Sequence, residues 1–446
     1  MQGSGYRGAV SAPTDGSARD WIRRDAAVVW HGFTQMATYA DNSPIMVDRA
    51  EGRELIDVDG RRYLDAISSL WLTTLGHHVP ELDAAAVEQL GRVAHTTLLG
   101  HGNRVTVEFA EALAPRVPVD DPHFLFAGDG AAAVEQALKI AFQFWTNQGI
   151  TTRTRYLAFG GAYHGDTIGS LSVGGGGFGT DVFDPLRFPV LRAPGFEDPR
   201  CIDVACQMIA EHAHELAAVV VEPMVQGAAG MQLQPPYVFA ALGEACARHD
   251  VLLVCDEVAT GFGRTGTLFA SEQCGLRPDL MVIGKGITGG YLAMAATVAN
   301  DRVYRQFLGE DLGERTLYHG HSFSGNALAA AVGLRHLELF DDWDVLANVN
   351  ERAAQLTELL DDHVVDLPEV AAVRQAGMMV GIELAPPPGA QRWGRRVSAH
   401  CVARGVLIRP LGDTVVIMPI LTSTAEEIER IVTVVAESVA AVGAEG

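Results

Sequence analysis

Two residues near the middle of this 446-residue chain can do covalent chemistry together. Asp256 lies in CDEVATGFGRTG (255–266) and Lys285 in GKGITGG (284–290), each at the end of a strongly apolar run. Apolar runs of that kind read as buried strands, and ligands of open α/β sheets collect at the carboxyl ends of strands. A lysine held there is costly unless paired. Desolvation lowers its pKa and turns it into a nucleophile toward carbonyl carbons. A nearby carboxylate can keep a pyridine nitrogen protonated. The plain alternative for the pair is a buried salt bridge.

Two further stretches bear on the choice. AGDGAAAVEQALK (127–139) reads as a strand end, a glycine turn and a helix start. The backbone N–H groups of Gly130 and Ala131 would face an anion there, aided by the helix dipole, although many α/β turns look alike. In GAYHGDT (161–167), Tyr163 can stack on a flat ring, or serve as a core aromatic. His164 reads as a satisfied core histidine and receives no catalytic role. A nucleophilic lysine, a ring acid, a phosphate turn and a stacking aromatic are together what pyridoxal 5′-phosphate requires of a protein.

These residues need a scaffold. HFLFAG (123–128), RYLAFG (155–160), LAAVVVEPM (216–224), VLLVCDEV (251–258) and LMVIGKGI (280–287) are nearly continuous apolar runs, as expected of strands covered on both faces. Between them, Val134, Ala137, Leu138, Ala141 and Phe144 recur at helical spacing. The alternation predicts an α/β fold, with a large mainly parallel sheet and helices on both faces. Residues 327–361 read as helical, and 370–384, 405–410 and 414–419 as strands of a smaller sheet. A last helix starts near Thr424, where Thr424 and Glu427 form a capping box. ELIDVDGRRYLDAI (54–67) reads as a hairpin turning at Asp59-Gly60. The smaller α+β domain is therefore expected from both chain ends: residues 23–75 and 336–446 around a large domain of 76–335, after a mobile tail of 1–22. The glycine run 174–177 reads as a flexible loop.

Composition narrows the partners. The formal charge of −22 disfavours nucleic acid and anionic membrane surfaces. No run of 18 apolar residues suggests a membrane span, and the first twenty residues lack an apolar signal core. Six scattered cysteines form no C-x-x-C pair, so free thiols, no metal site and a cytoplasmic location are expected. No G-x-G-x-x-G in a βαβ setting points to a nicotinamide cofactor.

The combination resembles the class III aminotransferases of fold-type I over roughly residues 28–440. The family stretch D-E-x-x-x-G-x-x-R-x-G followed by G-K matches Asp256, Glu257, Gly261, Arg264, Gly266, Gly284 and Lys285. The resemblance implies Lys285 as the Schiff-base lysine of pyridoxal 5′-phosphate and proton shuttle, Asp256 on the pyridine nitrogen, Tyr163 on the ring, and Gly130–Ala131 on the phosphate. It implies a homodimer in which His319-Gly320-His321-Ser322-Phe323 completes the partner's phosphate site, chiefly through Ser322. Glu222 and Gln226 match a family strand near the cofactor, with a structural role equally open.

Within the class, WHGFTQM (30–36), HTTLLG (95–100), KGITGGYL (285–292) and RPLGD (409–413) resemble the biotin-pathway branch that aminates 8-amino-7-oxononanoate. There Arg409 would grip the substrate carboxylate through its bidentate fork. Trp71 and Phe33 would line an apolar slot for the methylene chain, with Tyr163 and Gly320 beside the substrate. The donor implied is S-adenosylmethionine, with L-lysine the alternative. Phe33, Leu70 and His321-Ser322 differ from the usual adenosylmethionine pattern. Gly128-Asp129 replaces a hydroxyl-bearing turn and puts a carboxylate beside a phosphate. Another ω-amino acid aminotransferase of the class remains the alternative activity.

Overall fold

The apolar runs become a seven-stranded sheet in the computed structural model, which describes residues 16–177 and 179–445. In chain order its strands are β1 (His123–Ala127), β2 (Arg155–Phe159), β3 (Leu191–Ala193), β4 (Leu216–Val221), β5 (Leu252–Asp256), β6 (Leu280–Ile283) and β7 (Ala295–Ala299). Their spatial order is β1-β7-β6-β5-β4-β2-β3. β7 runs antiparallel to both its neighbours, and the pairs among β2 to β6 are parallel. β4 and β5 are buried at every position, because helices cover both faces. The helix Gly130–Thr146 closes one side with Val134, Leu138, Ala141 and Phe144 in the core, while Cys201–His212 and Phe239–Arg248 pack on the other. Truncating a core ring such as Phe144 would cost about 3–5 kcal/mol.

Both chain ends meet away from this sheet. The hairpin Glu54–Asp57 and Arg62–Asp65 turns at Gly60 in the left-handed region, and Val406–Leu407 joins Arg62–Asp65 in parallel. Val370–Ala376, Met379–Leu384, Thr414–Ile417 and Arg409–Leu411 form a second, antiparallel sheet. The run 405–410 is thus two short strands in two sheets, where the apolar pattern suggested one. The final helix, Ala425–Glu445, begins as expected: Thr424 N–H donates to Glu427 (2.9 Å) and Glu427 N–H to Thr424 Oγ1 (3.3 Å).

Other expectations need correcting. Residues 1–15 of the expected tail lie outside the described residues, and its remainder is cut short by the helix Ala18–Val28. Ser17 starts that helix by accepting the Asp20 N–H. The antiparallel strand β7, the short β3 and Val47–Glu51 were not anticipated. The glycine run 174–177 is a loop, packed at its start, where a Cβ on Gly175 would come 2.2 Å from the Gly161 nitrogen, and open at Gly177, where a Cβ would meet nothing within 4 Å. All six cysteines are free, as expected. Among the described residues no cluster could hold a metal, and no helix is long and apolar enough to cross a membrane.

Candidate active site

Strand adjacency brings the acid and the lysine together. Asp256 is the last residue of β5 and pairs with Val282 of β6, and Lys285 stands two residues beyond β6. Lys285 has a left-handed backbone (φ 45°), a conformation that costs a non-glycine residue about 1–3 kcal/mol and persists only where the surroundings enforce it. A cavity of about 480 Å³ opens over these strand ends, lined by Lys285, Asp256, Tyr163, Gly130, Ala131 and Trp71 among others. Six of the residues singled out in the sequence therefore share one cavity, of a size that suits a small organic cofactor.

Burial sets the electrostatics. Desolvation holds the Lys285 amine below its ordinary value, and the nearby Arg264 guanidinium pushes the same way, against the pull of Asp256 and Glu222. Asp256 is anchored on both oxygens: Oδ1 accepts the Val258 N–H (3.0 Å), and Oδ2 lies 2.7 Å from His164 Nδ1. For His164, burial opposes protonation, but the hydrogen bond and charge of Asp256, with Glu222, outweigh it and raise its pKa. Among the described residues its buried Nε2 has no hydrogen-bond partner. Glu222 is pushed up to about 7, chiefly by burial, and accepts the Tyr163 N–H (3.1 Å). Gln226 has a structural place, bonded to Phe196 and Gly160.

At the turn before the helix Gly130–Thr146, Asp129 spends its carboxylate as the N-cap, accepting the Ala132 N–H at 2.9 Å. That leaves the Gly130 and Ala131 amides as the orphan donors of the first turn. A Cβ on Gly130 would come 2.9 Å from Val258 Cγ1, so glycine lets the turn sit against the strand end carrying Asp256.

The remaining sequence-derived residues are spread more widely. The Tyr163 hydroxyl donates to Asp166 Oδ2 (2.9 Å), and burial raises its pKa while Arg409 opposes the rise. Arg409, on the strand Arg409–Leu411, is thus within electrostatic reach of Tyr163, and among the described residues it makes no ion pair. Phe33 is 57% exposed and does not line the cavity. Gly320, His321 and Ser322 lie on a loop outside it. His321 sits beside Gly128, whose added Cβ would be 3.6 Å from the ring, and the Ser322 carbonyl is 2.6 Å from His95 Nε2. Within one chain, then, neither Phe33 nor this loop joins Lys285.

Two features escaped the sequence reading. His164 follows Tyr163 in GAYHGDT and reads as core, although it holds Asp256. The second was countable: the chain has two lysines, Lys139 and Lys285, against 31 arginines, so a lysine at a strand end stands out.

Comparison with known proteins adds the lineage. The family profile described as aminotransferase class-III matches residues 35–439. The adenosylmethionine-8-amino-7-oxononanoate aminotransferase of Nitratidesulfovibrio vulgaris is 45% identical over 95% of this chain and 82% of its own length. That of Geobacter sulfurreducens is 40% identical over 93% and 95%. The crystal structure of the Methanocaldococcus jannaschii enzyme of that name superposes with a TM-score of 0.91 at 36% identity, covering 94% of this chain and 98% of that one. An omega transaminase from Pseudomonas jessenii superposes at 0.88 with 25% identity, over 95% and 98%.

Proposed function

The chain belongs to the class III aminotransferases, which are enzymes dependent on pyridoxal 5′-phosphate, and we propose that it aminates 8-amino-7-oxononanoate to 7,8-diaminononanoate in biotin biosynthesis. The observation that carries this is the shared cavity in which Lys285 and Asp256 stand at adjacent strand ends, with Arg409 near Tyr163. The relatives named for that reaction, at 33–45% identity, support the substrate.

The residues fit the cofactor: an amine kept poorly basic by burial, a carboxylate anchored on both oxygens, and orphan amides at a helix start. When bound, the cofactor supplies a carbonyl that captures amines and a ring that takes up the electron pair of a broken C–H bond. Lys285 is the residue that would hold the cofactor, through Nζ. Its Nζ would be the group that moves the substrate's α-proton, as general base and then as general acid. Asp256 would keep the proton on the ring nitrogen, and His164 holds Asp256 in place. Tyr163 would face the ring, and the Gly130 and Ala131 amides would hold the phosphate.

Arg409 grips the substrate carboxylate, with Trp71, Phe33 and Tyr163 around the methylene chain. The enzyme works as a cytoplasmic homodimer in which Gly320, His321 and Ser322 of one subunit face the other's cofactor and substrate. The donor is S-adenosylmethionine, the compound in the relatives' name, with L-lysine as the competing donor.

A half-reaction assay tests both substrates. Holoenzyme mixed with S-adenosylmethionine should lose the visible band of the lysine-bound cofactor, and 8-amino-7-oxononanoate should then restore it. Bleaching by lysine alone would replace the donor. Restoration by pyruvate or succinic semialdehyde and not by the oxononanoate would replace the activity.

A further inference from the structure

Three of the four residues Ser68–Trp71 have left-handed backbones: Ser68 at φ 51°, Ser69 at 62° and Trp71 at 66°. Residues with a Cβ avoid that region, and such a run persists only where its surroundings over-determine it. Here they centre on one carboxylate. Asp65 is 1% exposed, and it accepts the Ile67 N–H on Oδ1 (3.3 Å) and the Ser69 N–H on Oδ2 (2.7 Å). His77 Nε2 lies 2.9 Å from the same Oδ2. Two further ties follow along the chain. Ser68 Oγ donates to the Met418 carbonyl (2.7 Å), and the Thr73 carbonyl accepts from the buried guanidinium of Arg264 (2.7 Å).

What this turn delivers is Trp71. Its ring lies against Gly227, where a Cβ would come 3.1 Å from Cζ3, and its face is 5.4 Å from Lys285 Nζ. An unstrained turn would carry the side chain elsewhere, so the geometry joins Asp65 to the lysine through one aromatic wall.

We propose that Asp65 is a positioning residue for amino transfer: by fixing the left-handed turn 68–71 it keeps the Trp71 ring over Lys285 and water away from the amine. The inference rests on Lys285 being the cofactor-bearing lysine. If the turn relaxes, the ring withdraws, water reaches Nζ, and the nucleophile is both less precisely held and better solvated.

A double-mutant cycle on the holoenzyme tests this with Asp65→Ala, Trp71→Ala and the double variant. It reads kcat/KM and the pH midpoint of the visible band of the lysine-bound cofactor, which a merely structural loss would leave in place. Each single variant should lower kcat/KM about tenfold or more and move the midpoint in the same direction. The double variant should match Trp71→Ala to within about twofold, because the two residues act as one unit. Additive effects, or an Asp65→Ala enzyme with an unmoved midpoint, overturn the proposal. Should Asp65→Ala not fold, Asp65→Asn enters the same cycle under the same criteria. Failure of the premise is distinguishable: the wild-type holoenzyme would then carry no borohydride-fixed label on Lys285.

Discussion

At the scale of single residues, the cavity works by placing ionisable groups where water is scarce. Glu222 shows this most directly, since burial raises its carboxyl from 4.5 to about 7. Between those values the folded state binds more protons than the unfolded one, so its contribution to stability is present below the lower value and is lost as pH rises through the upper one. Wild-type apo-protein should therefore lose stability relative to Glu222→Gln between about pH 5 and 7, at up to about 1.4 kcal/mol per pH unit, as measured by denaturant unfolding. A difference that stays flat across that range would contradict it. His164 carries the next prediction. His164→Phe strips Asp256 of a charge-assisted hydrogen bond, worth about 1.5–3 kcal/mol. Cofactor affinity, measured by titrating apo-enzyme, should fall about tenfold to a hundredfold while the thermal transition stays cooperative. That role was not legible, because a lone histidine is most simply a core residue and its partner stands 92 residues further along the chain.

At the scale of elements, the helix Gly130–Thr146 does more than offer its N-terminus. One stripe at i, i+4 spacing fastens the loops on either side. Glu135 accepts from Thr167 Oγ1 (2.6 Å) and the Gly169 N–H (2.7 Å). Lys139 reaches the Tyr318 carbonyl (3.4 Å) and His319 Nδ1 (3.2 Å), and Gln143 donates to the Thr316 carbonyl (3.1 Å). Lys139→Met should leave the fold intact and speed amide exchange across 314–323 several-fold, as expected for loss of a contact of about 1 kcal/mol. Hydrogen-exchange mass spectrometry would read it, and unchanged protection would show that the stripe does not hold the loop. The helix itself was plain from its apolar period, as was the capping box at Thr424. Strand β7 was not. AATVA is short and alanine-rich, and nothing in a single strand's composition says that its neighbours run the other way.

At the scale of the whole molecule, the sheet order was beyond reach of local pattern, yet the strand ends bearing Asp256 and Lys285 could be located because buried parallel strands advertise themselves as apolar runs. Phe33 and Ser322 mark the limit of that reasoning. They were assigned by resemblance, and in the folded chain they lie off the cavity, so any role there depends on a second subunit. If the chain pairs as proposed, Ser322→Ala should weaken cofactor binding without dissociating the dimer, as read by titration alongside sedimentation velocity. An unchanged affinity would remove the serine from the cofactor site.

On the proposed function one amine carries the cofactor, and a chain with two lysines is well suited to testing this. Holoenzyme reduced with borohydride, digested and mapped by mass spectrometry should bear a single phosphopyridoxyl group on Lys285, with Lys139 unmodified. A label confined to Lys139, or no label on a preparation showing the visible band, would contradict the account.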